Sequence, residues 1–289
     1  MKPAAFEYHA PESVADVASL LAEHGDDAKV LAGGQSLVPL LAMRLTRFPH
    51  LVDLNRVDEL RGIERTNGTL TIKAMTRQSK AEHDDTVAQA APLVARALPL
   101  IGHFQIRNRG TVGGSIAHAD PASELPAVAL ALDAELEVAS AGSTRRIAAA
   151  EFFESTWTTT IEPDEVLTAV HLPVWSGRCG FVVDEVARRS GDFALTGVVC
   201  AVEVDGNGAV ARSAIGLFGM GPTPIRAREA EAALSGASEG ADLAEVGRLA
   251  VAASRPSDDV HASAEYRVHV GAHLVQRALE RALGEARSG

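Results

Sequence analysis

The apolar positions of this chain change period repeatedly, and each change marks an element. Val14, Val17, Leu20 and Leu21 recur at helical spacing, so a helix is predicted over 13–24, opened by Pro11-Glu12-Ser13 and closed by Gly25. The apolar run at 29–32 then predicts a buried strand ending in Gly33-Gly34-Gln35-Ser36. A helix over 37–45 and a short strand at 50–54 follow. Residues 60–74 alternate around Asn67-Gly68, the pattern of a hairpin. Helical spacing returns over 76–85, 86–100 and 125–133, with strands predicted at 134–139 and 165–172 and a loop at 152–160.

Beyond Pro173 the pattern shifts. Strands are predicted at 181–183, 195–204 and 209–217, the last two joined by an Asp205-Gly206-Asn207-Gly208 turn. Two alanine-rich amphipathic helices, 225–235 and 241–254, precede a final helix over 264–284. The clustering of Pro173, Gly177 and Gly180 sets a domain boundary near 174–180, dividing the chain into 1–176 and 177–289. There is no internal repeat and no low-complexity linker.

Composition narrows the function classes. The 289 residues are 46% apolar and 22% charged, as in ordinary globular proteins, and long enough for one or two cores. A formal net charge of −11 argues against a nucleic-acid partner. No apolar run approaches the roughly 20 residues needed to span a bilayer. The opening MKPAAFEYHAPES lacks a signal-peptide core, so a cytoplasmic location is expected. The two cysteines, Cys179 and Cys200, cannot ligate an iron–sulfur cluster and lack CxxC spacing. They read as reduced, buried thiols, and no His–Cys–carboxylate spacing suggests a metal site.

Two glycine stretches carry the candidate chemistry. Ala32-Gly33-Gly34-Gln35-Ser36-Leu37 follows an apolar strand directly, where glycines let a ligand approach the backbone and exposed N–H groups can form an anion nest. Residues 111–126 read TVGGSIAHADPASELP, a flexible polar segment with little to bury; its Thr111-Val112-Gly113-Gly114-Ser115 offers the same chemistry. Neither matches the GxGxxG of a Rossmann turn or the GxxxxGK[ST] of a P-loop. Together they could hold the two phosphates of a dinucleotide. The basic run before the second stretch, with Arg107 and Arg109, could steer phosphate or bind an acidic neighbour.

With AGGQSL near 33, TVGGSIAHADPASELP near 115 and ARRSGDFAL near 191, the chain resembles the flavin-binding medium subunits of the xanthine dehydrogenase family. Within it, the closest resemblance is to the separate flavoprotein subunit of the aerobic carbon monoxide dehydrogenase type. The resemblance spans essentially the whole chain in the expected order. It implies an α+β fold: a two-subdomain FAD-binding domain of the PCMH/VAO type (about 1–57 and 58–176), then a smaller α+β domain of the carbon monoxide dehydrogenase flavoprotein type. It implies noncovalent FAD, with the pyrophosphate between Ala32–Leu37 and Thr111–Ser115. Glu124 and Asp120 fall near the sugar-like hydroxyls of FAD, Ile101 and Leu167 at positions that pack on the cofactor, and His118 beside it. Asp192 and Phe193 fall near the isoalloxazine ring. Related flavoproteins often carry lysine where Asp184 and Glu185 stand, a departure that removes a positive charge from near the flavin. No residue of this chain is expected to be catalytic.

The same resemblance implies an electron-transfer subunit. Electrons would arrive from [2Fe–2S] clusters of a small subunit and leave to an external acceptor, while a large molybdenum-cofactor subunit oxidises the substrate. A dimer of heterotrimers is the implied assembly. Carbon monoxide, a purine, a nicotine-like heterocycle and an aldehyde all remain open as substrate. Two other readings stand beside this one: a stand-alone flavin oxidoreductase of the broader fold, and a flavin-free interaction subunit.

Overall fold

A computed structural model describes residues 2–238 and 240–289. Its first unit is a three-stranded parallel sheet in which the strand His50–Asp53 lies between Glu7–His9 and Ala28–Leu31. The helix Val14–His24 covers it, burying Val17, Ala18 and Leu21. Ser13 caps this helix by accepting a hydrogen bond from the Asp16 N–H at 3.1 Å, as the Pro-Glu-Ser signal predicts. Residues 32–36 then link Ala28–Leu31 to the helix Leu37–Ala42. That helix ends three residues earlier than expected, where Arg44 takes a left-handed φ of 59°.

A five-stranded antiparallel sheet follows, ordered Ile63–Thr66, Thr69–Lys73, Val166–Pro173, Glu135–Ser140 and Ser143–Ala148. Its first pair is the predicted hairpin, with both turn residues at positive φ, Asn67 at 50° and Gly68 at 79°. The strand Ser143–Ala148 was not anticipated. Four of its six residues are polar, Ile147 is its one buried aliphatic, and it lies at an edge. The expected helix over 86–100 is instead Asp85–Ala90 and Pro92–Ala97, because Pro92 cannot continue a helix and starts a new one. The expected loop at 152–160 holds a short hairpin, Phe153–Ser155 with Thr158–Thr159.

The third sheet orders Arg178–Ala187, Ala194–Val204, Val210–Phe218 and Ile225–Arg226, all antiparallel. Ala194–Val204 is apolar almost throughout because both its faces are covered. Val198, Cys200 and Val202 join a core with the helices Arg228–Leu234, Leu243–Ala252 and Ala264–Ser288. Val199 and Ala201 point the other way, into the core built by Pro92–Ala97 and Glu124–Ala131. The N-terminal part therefore supplies one of the two layers on the C-terminal sheet.

Candidate functional site

The two glycine stretches, remote in sequence, meet backbone to backbone. A Cβ added to Gly33 would stand 2.5 Å from the Arg109 carbonyl oxygen and 2.8 Å from Gly110 Cα. A Cβ on Gly114 would stand 3.2 Å from the Ala32 Cβ. Gly113 presses on Ala74, where a Cβ would come within 2.5 Å of that residue's methyl, and its N–H donates to the Ala74 carbonyl at 2.9 Å. Gly34 needs glycine for a second reason, its φ of 73°. The glycines thus let two segments close against each other.

The second stretch differs from its expected form. Thr111 is an N-cap whose Oγ1 accepts from the Gly114 N–H at 3.0 Å, and Val112–His118 is a helix. What reads in sequence as a flexible polar loop is an ordered first helical turn, because threonine capping satisfies the backbone that the glycines expose. The helix stops at Ala119, which takes a left-handed φ of 52°. After a short turn, Glu124–Ala131 begins.

An unlooked-for clamp holds the stretches together. Arg77 donates one guanidinium nitrogen to the Arg109 carbonyl and another to Asn55 Oδ1 at 2.6 Å, while Asn55 Nδ2 donates to the Ala32 carbonyl at 3.2 Å. Arg77 also forms a β-bridge with Thr111. Arg77 is half-buried, and this burial, aided by the charge of Arg109, lowers its pKa. In sequence Arg77 and Asn55 look like ordinary polar positions; only tertiary contact singles them out.

The backbone donors of residues 34–36 are uncommitted, although the Gln35 side chain donates to the Gly33 carbonyl at 3.1 Å. Among the described residues, the N–H groups of Gly34, Gln35 and Ser36 donate to no protein acceptor, and the Ser36 and Ser115 hydroxyls have no protein partner. Three free N–H groups and two free hydroxyls, on two stretches that meet at their glycines, match the needs of a diphosphate. The residues present therefore fit FAD. Of the basic run, Arg107 is already engaged: its Nε lies 2.7 Å from Glu82 Oε2, and both side chains are largely buried. It braces the helix Phe104–Arg109 and does not steer phosphate.

The acids divide by environment. Glu124 is 6% exposed, and burial, with lesser contributions from Glu185 and Asp120, pushes its carboxyl up to about 8. At neutral pH it is mostly protonated and offers an O–H donor beside its acceptor, where a carboxylate accepting two bonds was expected. Asp120 caps its turn through the Ala122 N–H at 2.9 Å and accepts from Trp157 Nε1 at 3.0 Å. Trp157 is 65% exposed, holds a left-handed φ of 59°, and lies parallel to His118 with ring centroids 6.3 Å apart. Burial, against the opposing charge of Asp120, lowers the His118 pKa and so favours the neutral imidazole.

The remaining predicted positions lie around this centre. Ile101 is half-buried against the main core, and Leu167 is buried in it. Leu167 adjoins Thr168, whose carbonyl accepts from the Ala74 N–H and so stands behind Gly113. The Arg188–Phe193 loop reaches the N-terminal part through Gly191 (φ 84°), which abuts the His103 ring. Asp192 is loosely paired with Arg188 at 3.5 Å, and Phe193 is 64% exposed. Asp184 and Glu185 point to opposite sides of their strand. Asp184 pairs with Arg277 at 2.7 Å and Arg281 at 3.3 Å on the final helix, whereas Glu185 carries a buried Oε2 with no partner. Burial, then the nearby Asp184, raises the Glu185 carboxyl to about 7.

The chain matches known proteins over nearly its whole length. Residues 4–175 match a model described as "FAD binding domain in molybdopterin dehydrogenase", and residues 182–282 match "CO dehydrogenase flavoprotein C-terminal domain". The chain is 43% identical over 288 residues to the 6-hydroxypseudooxynicotine dehydrogenase complex subunit alpha of Paenarthrobacter nicotinovorans, covering 99% of this chain and 97% of that one. It is 35% identical over 283 residues to the carbon monoxide dehydrogenase medium chain of Hydrogenophaga pseudoflava, covering 98% of each. Among solved structures, carbon monoxide dehydrogenase from the same organism superposes with a TM-score of 0.96 at 37% identity, covering 99% of each chain. Quinoline 2-oxidoreductase from Pseudomonas putida 86 gives 0.93 at 35%, again covering 99% of each.

Proposed function

Because the chain belongs to the family of FAD-binding medium subunits of molybdenum hydroxylases, which includes xanthine dehydrogenase and aerobic carbon monoxide dehydrogenase, we propose that it is the electron-transfer subunit of such a complex. The observation that carries this reading is the junction of Gly33 with Arg109–Gly110, where two backbones close beside three free N–H groups. FAD, when bound, accepts and releases electrons singly or in pairs. This chain's residues bind and orient it. The pyrophosphate is held between Ala32–Leu37 and Thr111–Ser115, with the Arg77–Asn55 clamp fixing their separation. His118, Asp120 and protonated Glu124 take the hydroxyl groups, Ile101 and Leu167 pack against the cofactor from the core side, and Asp192 and Phe193 border the flavin ring.

Electrons enter from [2Fe–2S] clusters of a small partner subunit. Both centres of the partners lie outside this chain, whose two cysteines are free and have thiols raised by burial, Cys179 to about 11 and Cys200 beyond the ordinary range. A large molybdenum subunit oxidises the substrate and alone selects it. The assembly is a dimer of heterotrimers in the cytoplasm, and the chain divides at 176/177. In keeping with this, no helix among the described residues is long and apolar enough to cross a membrane. The deciding experiment is the visible spectrum of the purified chain, with mass identification of the released cofactor and metal analysis. One equivalent of FAD without iron or molybdenum is expected. A folded, colourless chain that refuses added FAD overturns the reading.

A further inference from the structure

Spacing in the sequence shows no metal-ligand cluster, yet the fold builds one away from the glycine stretches. His9 ends the first strand, His24 ends the first helix, and His50 begins the central strand of the parallel sheet. Among the described residues, these are the one group of three ligand-type side chains that converges, with candidate nitrogens all within 4.8 Å of one another. His9 Nε2 and His50 Nδ1 are 3.1 Å apart, the His24 and His50 rings stack with centroids 3.8 Å apart, and Glu7 Oε2 lies 3.5 Å from His50 Nδ1. All three rings are half-buried. We propose that His9, His24 and His50 form a binding site for a divalent transition ion of the zinc class, with Glu7 available as a fourth ligand.

Three observations converge on this assignment. The first is the donor set: imidazole suits zinc, copper and nickel, and three such nitrogens with a carboxylate complete a tetrahedron. The second is distance. A tetrahedron with bonds of about 2.1 Å has edges of about 3.4 Å, close to the 3.1 Å already present between His9 and His50. Ligation needs the His24 ring turned out of its stack on His50, because an imidazole binds a metal in its own plane, and the widest separation drawn in by about 1.4 Å; half-buried rings on element ends can make both adjustments. The third is electrostatic. His24 is the last residue of an 11-residue helix, where the aligned carbonyl dipoles favour a cation.

The site is separate from the cofactor cradle. His50 pairs with Ala28 at the start of the neighbouring strand, whereas the first glycine stretch leaves that strand at its other end, after Leu31. A bound ion would tie the two ends of the Glu7–Asp53 segment to its helix, so its effect is on stability and not on electron transfer.

The test is a calorimetric titration of the chelator-treated, flavin-loaded full chain with Zn2+ alone. One equivalent should bind at pH 7.5 and raise the melting temperature. His24→Gln and His50→Gln should each weaken binding at least tenfold while keeping the flavin spectrum. The paired rings of His269 and His273 on the final helix are the alternative seat. Absence of binding, binding undiminished in both variants, or binding lost in His273→Gln would each overturn the proposal. A second readout needs no substitution: Zn2+ should protect His9, His24 and His50 from diethylpyrocarbonate, mapped by mass, and leave His83 and His261 reactive. Equal reactivity with and without Zn2+ would also overturn it.

Discussion

Replacing Gly33 by alanine tests the cradle at its tightest point. The new methyl would stand 2.5 Å from the Arg109 carbonyl oxygen and 2.8 Å from Gly110 Cα, both backbone atoms that cannot rotate away. Carbon–carbon contact is comfortable from about 3.5 Å, so the two segments must part by about 0.7 Å. Overpacking of this kind costs about 1–3 kcal/mol. Part falls on the fold and appears as a lower melting temperature. The part realised only when both segments grip one diphosphate appears as weaker FAD binding, up to about 5- to 150-fold if all of it does. The assay is quenching of FAD fluorescence on titration into the deflavinated chain, beside a thermal melt. Gly206→Ala is the control, since that turn glycine has open space around it and no positive φ. A folded Gly33→Ala chain that binds FAD within twofold of the unmodified one would refute the placement of the cradle.

Two further outcomes follow from the same region. Arg77→Met removes charged hydrogen bonds to the Arg109 carbonyl and to Asn55, each worth about 1.5–3 kcal/mol. FAD affinity should fall at least tenfold in the same titration, and Arg77→Lys should not restore it, because lysine lacks the fork that reaches both acceptors. Glu124 gives a pH signature. Its carboxyl holds its proton up to about 8 in the fold but only to about 4.5 when unfolded, so the native state binds more protons in that window and stability falls as pH rises across it. Melting curves of the deflavinated chain from pH 5 to 8 should flatten in Glu124→Gln, with the variant gaining most at pH 8; parallel curves would contradict the buried, protonated acid.

Much of this was legible in sequence where local chemistry decides the outcome. The Asn67-Gly68 turn, the Ser13 cap and the apolar run of Ala194–Val204 each state their structure within a few residues. Pro92 was equally local, yet the helical periodicity across it masked the break. The strand Ser143–Ala148 was missed because an edge strand with polar faces carries no period-two apolar signal. For the site, glycine pairs pointed to close approach, and their neighbours in the chain to a resemblance, but not to what each glycine touches. Arg77 and Asn55 gave no signal at all, since a clamp between segments so far apart exists only after folding. Thr111 shows the same limit in reverse: a threonine before two glycines reads as loop until its hydroxyl is seen closing on the Gly114 N–H.

The strand Ala194–Val204, clothed by helices from both halves of the chain, bears on modularity. Two family models divide the protein neatly in sequence, which suggests parts that could be exchanged or expressed alone. The shared layer says otherwise. Cutting at 176/177 would strip Val199, Ala201, Ala214 and Phe218 of their cover and leave Leu125 and Val128 facing water. Each fragment would carry a sticky apolar wall and aggregate. Chimeras that graft the C-terminal sheet of one medium subunit onto another must therefore carry Pro92–Ala97 and Glu124–Ala131 with it, and heat should melt the intact chain in one transition rather than two.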